Sequence, residues 1–114
     1  MQRDQIFLLD IRESAKLALS YLSGVSIDEF HDDRQLQDAV IRRLEIIGEA
    51  ARRLSDETRL MMPDIPWADL IGMRNVMIHE YDDVDLSIVW DTVKTDLEKL
   101  IAALKVDIPL DEDQ

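Results

Sequence analysis

Between Arg74 and Tyr81 the chain reads Arg-Asn-Val-Met-Ile-His-Glu-Tyr, which sets a guanidinium, an amide, an imidazole and a phenol within about two turns of helix. His79 carries the one side chain type whose ordinary pKa, about 6.5, suits proton transfer near neutrality. Arg74 offers a permanently charged, planar fork that matches the oxygens of a phosphate. With Asn75 as a hydrogen-bonding positioner, these are parts for phosphodiester cleavage by acid–base catalysis, in which a deprotonated RNA 2′-hydroxyl attacks its own phosphorus. That reaction requires neither a metal nor a cofactor.

A helix must hold these groups, and its geometry raises a difficulty. At ~100° per residue the apolar stripe runs through Trp67, Leu70, Ile71, Met77 and Ile78, with Arg74 and Tyr81 falling inside it. An arginine there needs a partner, and Glu45 or Glu49 of the preceding long helix could serve. Ala68, Gly72, Asn75 and His79 form a flanking strip of short side chains that lets another backbone come close. Arg74 and His79 lie five apart, ~140° around a regular helix, so one chain points them in diverging directions. Either the helix loosens near Glu80, or two subunits contribute across a two-fold axis so that one Arg meets the other chain's His. A symmetric homodimer is expected, because the Gly72 strip asks for cover and the apolar face of the first helix is wider than a small bundle needs.

The spacing Arg, then His five positions on and Tyr two later, with a polar residue directly after the Arg, resembles the HepT-like branch of the HEPN domains. The likeness extends through Ile65 to Tyr81, upstream through Ala39 to Ala51 (Ala-Val-Ile-Arg-Arg-Leu-Glu-Ile-Ile-Gly-Glu-Ala-Ala) and downstream through Tyr81 to Trp90. The resemblance implies a toxin-like, metal-independent endoribonuclease whose paired motifs form a cleft at a homodimer interface. In it Arg74 holds the scissile phosphate, His79 moves the proton and Asn75 positions. It also implies a cognate MNT-type nucleotidyltransferase antitoxin that transfers AMP from ATP to Tyr81. An attached anion beside Arg74 would occupy the phosphate site and block the cleft. The competing reading is a non-catalytic helical adaptor that binds a nucleotidyltransferase or its substrate. In that case Arg74 pairs inside the bundle, His79 complements the helix C-terminus through the dipole, and Tyr81 packs its ring.

Composition bounds both readings. A chain of 114 residues makes a single domain, here read as 1–108, followed by an acidic tail, 109–114. With no cysteine there is no thiolate metal site and no disulfide framework, which fits a reducing compartment. The N-terminal apolar run is cut short by Asp10, and no stretch approaches ~18 apolar residues, so the expectation is a cytoplasmic protein without membrane contact. A net charge of −12 argues against an overall basic nucleic-acid surface. The charge is uneven, however. Asp82 to Gln114 holds ten acids against three lysines, whereas Arg34 to Arg59 holds six arginines against five acids. A phosphate-bearing ligand such as RNA is then expected at a local site.

Periodicity predicts an all-α fold, an up-and-down four-helix bundle with short extra turns. The first helix spans about Arg3 to Leu22 and places Phe7, Leu8, Ile11, Ala15, Ala18, Leu19 and Leu22 on a single broad face; Ser23-Gly24 ends it. Ser26 caps a short turn, and Asp32 or Asp33 caps a helix from Arg34 to Leu54. On that helix Leu36, Val40, Leu44, Ile47, Ala51 and Leu54 face inward, and the charged reverse side is expected to pair Asp38 with Arg42 and Glu49 with Arg53. Gly48, costing ~1 kcal/mol against Ala in mid-helix, implies close approach of another helix. Ser55 caps another turn, Pro63 and Pro66 stiffen the entry to the motif helix, and Asp85 caps a final helix through Leu104.

The remaining candidates read as structural. His31 is a surface or capping residue and forms no ligand spacing with His79. Trp67 and Trp90 belong to apolar stripes. Arg42, Arg43, Arg52 and Arg53 could contact RNA, although a solvated helix face is the default reading.

Overall fold

The computed structural model describes residues 2–79 and 83–104, and every regular element among them is helical. In chain order these are α1 (Gln2–Tyr21), α2 (Ile27–Asp32), α3 (Arg34–Arg53), α4 (Asp56–Met61), α5 (Trp67–His79), α6 (Leu86–Asp91) and α7 (Leu97–Ala103). A π-helical turn, Thr92–Asp96, joins the last two. The all-α bundle expected from periodicity is the fold observed. The acidic tail 109–114 lies outside the described residues.

Local chemistry sets the helix starts. Ser26 accepts from the Glu29 N–H while the Glu29 carboxylate accepts from the Ser26 N–H, a reciprocal cap on α2. Asp33 accepts from the Leu36 N–H, Ser55 from the Thr58 N–H, and Asp85 from the N–H groups of Ser87 and Ile88. After α1 the chain turns at Gly24, whose φ of 75° lies in the left-handed region.

The centre of the bundle is α3, which packs against α1 on one side and α5 on the other. Its inward stripe of Val40, Leu44, Ile47 and Ala51 is fully buried, against Leu8, Ile11, Ala15 and Ala18 of α1 and Val89, Val93 and Leu97 of the last helical stretch. The close approach inferred from Gly48 is present. A Cβ built there would overlap the Cβ of Arg74 and lie 2.8 Å from the Leu70 carbonyl oxygen, so α5 crosses α3 at the one position without a side chain.

Two features depart from the sequence reading. The final helix is not one regular rod, because its apolar residues Val89, Val93 and Leu97 recur every four positions and would drift round an α-helix by ~40° each time. The π-helical turn holds more residues per turn, and all three stay in the core at 0% exposure. The second departure is a polar contact inside the bundle. Asp4 of α1 is 4% exposed and accepts hydrogen bonds from the hydroxyls of Ser55, at 2.6 Å, and Thr58. Those bonds hold its carboxyl below the usual carboxylate range, outweighing the burial that acts the other way. Replacing Asp4 by Asn removes the charge and is expected to cost about 1–2 kcal/mol, read as a lower urea midpoint.

The tryptophans hold elements together. The indole N–H of the buried Trp67 donates to the carbonyls of Arg59 and Met62, fixing α4 against α5. Trp90 is half-buried, 5.7 Å from the Phe30 ring, with the Lys94 ammonium 5.0 Å from its own centroid. Lys94 also donates to the Leu22 carbonyl at the end of α1. His31 is exposed on α2. Among the described residues no helix is long and apolar enough to cross a membrane.

Candidate active site

Because α5 crosses α3 at Gly48, Arg74 leaves the crossing point directly above the outward face of α3. That face repeats at helical spacing, Arg42, Glu45, Ile46, Glu49, Ala50 and Arg53, and floors a cleft of about 340 Å³. Phe7 and Asp10 of α1 form one bank, Arg74 and Ile78 of α5 the other.

Glu49 organises the charges. Its carboxylate accepts from Arg52 at 2.8 Å and from Arg53 at 2.7 Å, and Arg74 Nη2 lies 3.1 Å from its Oε1. The donated bonds from Arg52 and Arg53, with the Arg74 charge added, hold the Glu49 carboxyl far below its ordinary 4.5, at about 2. The other arm of the Arg74 fork, Nη1, donates to Asn75 Oδ1 at 2.7 Å. Arg74 Nε is buried and meets no acceptor among the described residues. The guanidinium is thus aimed by a carboxylate and an amide, while its buried Nε–H stays unpaired.

Of the pairings expected on α3, Glu49 with Arg53 forms, but Asp38 with Arg42 does not. Asp38 takes Arg34 at 3.3 Å, and Arg42 takes Glu45 at 3.4 Å. Such pairs differ by a few tenths of a kcal/mol, so neighbouring side chains choose among them. Glu49 itself is not merely part of a solvated face. It is the partner that Arg74 requires inside the apolar stripe. Arg43 turns the other way, toward the Ser14 hydroxyl of α1 at 3.4 Å.

The two halves of the motif do not meet within one protomer. Arg74 and Ile78 line the cleft, whereas His79 is exposed at the end of α5 and its side chain joins none of the described residues in a hydrogen bond or ion pair. Ala68, Gly72, Asn75 and Val76 are exposed on the same helix, and nothing lies within 4 Å of where a Gly72 side chain would begin. Tyr81 lies outside the described residues. Among the described residues no group of three or more His, Cys, Asp or Glu is placed to hold a metal ion.

The sequence reading missed Phe7 as a site residue by counting it only as part of the broad apolar face of the first helix. It is half-buried, lines the cleft, and has the guanidinium carbons of Arg3 and Arg53 at 5.1 and 6.0 Å from its ring centroid. The signal available was Arg3, Phe7 and Asp10 at helical spacing on one face.

The ion pairs of Glu49 give a pH dependence. Its depressed folded-state pKa means that ionised Glu49 favours the folded protein above its ordinary 4.5, and that this contribution is lost as pH falls toward about 2. Glu49→Gln is therefore expected to lower stability by about 1–2 kcal/mol at pH 6, allowing for partial solvent screening, and by much less near pH 2.5. Urea unfolding of both proteins at the two pH values reads the difference.

The chain is thus a helical bundle with an aimed arginine over a cleft and an exposed histidine five residues further along the same helix. A family model described as ribonuclease HepT-like matches residues 11–106, and the chain belongs to that family. It is 39% identical over 94 residues, 82% of this chain and 86% of the relative, to "Putative RNase MJ1380" of Methanocaldococcus jannaschii. It is 38% identical to "Probable ribonuclease HepT" of Thermococcus cleftensis over the same shares of the two chains. A longer M. jannaschii relative, "Gamma-glutamylcyclotransferase and putative RNase MJ0434", is 44% identical over 101 residues, 88% of this chain and 46% of that relative. No solved structure matches the chain at comparable stringency.

Proposed function

We propose that this chain is a toxin-like, metal-independent endoribonuclease that acts as a homodimer. In this reading Arg74 of one protomer holds the scissile phosphate and His79 of its partner transfers the proton. The observation that carries the proposal is the Arg74 guanidinium. It lines an open cleft, is fixed there by Glu49 and Asn75, and sits on the same helix as an uncovered small-residue strip that ends in His79. A two-fold axis along that strip would bring together the groups that one helix holds ~140° apart. The relatives named as ribonucleases support the reaction class. Two-fold pairing also suits the arithmetic of catalysis, since a fixed cation stabilises charge developing on phosphorus while a second chain supplies the proton carrier.

Tyr81, two residues beyond His79, is the proposed acceptor of AMP from a cognate MNT-type nucleotidyltransferase antitoxin. The modification would place a phosphate beside Arg74 and silence cleavage. The test is direct. The purified protein should show a dimeric mass in light scattering and cleave total RNA in the presence of EDTA. It should lose that activity, with a nucleotide adduct on the Tyr81 peptide in mass spectrometry, after incubation with such an enzyme and ATP. A monomeric mass with no cleavage removes the proposal.

One observation favours the alternative, a non-catalytic adaptor for a nucleotidyltransferase. The Arg74–Glu49 pair is the structural role that the sequence leaves open for that arginine, and a phosphate must compete with it. An adaptor would bind the nucleotidyltransferase unmodified and leave RNA intact.

A further inference from the structure

The cleft extends well beyond Arg74, and its far end has a composition that phosphate binding alone does not call for. From Arg42 to Arg53 the floor runs about 16 Å along α3. Phe7 stands at the Arg53 end, and Asp10 follows one helical turn along the same face of α1, back toward Glu49. The connection to Arg74 is continuous. Glu49 Oε1 pairs with Arg74, Glu49 Oε2 takes the Arg53 Nε–H, and the Arg53 guanidinium lies over the Phe7 ring. An aromatic ring bordered by guanidiniums in a groove is the arrangement by which proteins hold an unpaired base while its phosphates are tracked by charge. Asp10 adds a different property, because among the described residues it has no ion-pair partner and so faces the cleft with its acceptors free.

We propose that Phe7 and Asp10 form a base-reading subsite for an unpaired guanine next to the phosphate held by Arg74; this rests on the ribonuclease reading and deepens it. Phe7 supplies the stacking surface, with Arg53 moving from the ring to a flanking phosphate or closing over the base. Asp10 supplies the selection. Guanine presents N1–H and N2–H side by side on its Watson–Crick edge, and one carboxylate accepts both. Adenine and cytosine offer one amino donor beside a ring nitrogen whose lone pair a carboxylate repels, and uracil offers one N–H between two carbonyl oxygens. The substrate class that follows is single-stranded RNA with guanine beside the cut, since base pairing would hide that edge.

The test uses non-cleavable probes, so binding is read apart from catalysis. Fluorescein-labelled 2′-O-methyl pentanucleotides of uridine with guanine, inosine, adenine or cytosine at the centre are titrated by anisotropy against the wild type, Phe7→Leu, Phe7→Trp and Asp10→Asn. Leu keeps the apolar volume that packs on the bundle, and melting temperatures confirm that each variant is folded. For the wild type, guanine is expected to bind about tenfold or more tighter than adenine, with inosine, which lacks the N2 amino group, between them. Phe7→Leu should weaken every probe about fivefold or more while Phe7→Trp does not, and Asp10→Asn should bring guanine level with the others. Equal binding of all probes by the wild type, or unchanged affinity in folded Phe7→Leu, overturns the subsite. Cleavage of total RNA by the same wild-type preparation separates the two claims. Cutting without Phe7-dependent binding sinks the subsite alone, and Phe7- and Asp10-dependent guanine binding without cutting leaves the subsite and removes the ribonuclease reading.

Discussion

Replacing His79 by alanine is expected to lower kcat for RNA cleavage about 100- to 10,000-fold while leaving the melting temperature almost unchanged. The two halves of that expectation come from the same observation. The His79 side chain is exposed at the end of α5 and makes no polar contact with the described residues, so its loss removes little from the folded state. A positioned proton carrier contributes to the rate at about the stated scale, so its loss should appear in kcat. Arg74→Ala should also abolish cleavage, but it leaves Glu49 with fewer cations and is the less clean variant. Mixing the two inactive proteins gives the sharper test. If each site takes Arg74 from one chain and His79 from the other, a mixed dimer contains one intact site and one doubly defective site. Random exchange should then restore about a quarter of wild-type activity, whereas sites built within one chain would stay dead in every combination. Unimpaired cleavage by His79→Ala would end the assignment of that residue.

The features that the sequence made legible are local or forced. Caps at Ser26, Asp33, Ser55 and Asp85 need only a short polar side chain and the first turn of a helix, so they can be read from neighbours. Gly48 was legible for another reason, since a mid-helix glycine is costly unless something occupies the missing side chain's place. What escaped depends on residues far apart in the chain or on small energy differences. Asp4 meets Ser55 and Thr58 across 51 and 54 positions, which no periodicity reveals. The partner of Arg74 was open between Glu45 and Glu49, because both lie on the face above which the arginine emerges. The structure pairs it with Glu49, which Arg52 and Arg53 already hold in place. Phe7 fits an inward stripe as well as it fits the cleft, and a half-buried aromatic ring serves both.

Gly48→Ala should be the most damaging single-methyl change in the bundle, at about 2–4 kcal/mol, against a helix-propensity gain of ~1 kcal/mol. The new Cβ would overlap the Arg74 Cβ and press on the Leu70 carbonyl oxygen at 2.8 Å, and neither is the free end of a flexible side chain. Relief requires α5 to move away from α3, which opens the crossing and draws Arg74 from Glu49. A fall in melting temperature of roughly 10 °C or more is expected, with activity falling further than the unfolded fraction explains. Gly72→Ala is the informative control on the same pair of helices. Its Cβ would meet nothing within 4 Å in the protomer, so in a monomer the substitution should be neutral or stabilising. In a dimer closed along the Ala68–Gly72–Asn75 strip, that methyl group would sit in the contact and raise the dissociation constant. Wild-type mass and stability in Gly72→Ala, beside a damaged Gly48→Ala, would place the two-fold contact elsewhere, and with it the route by which Arg74 and His79 could share one phosphate.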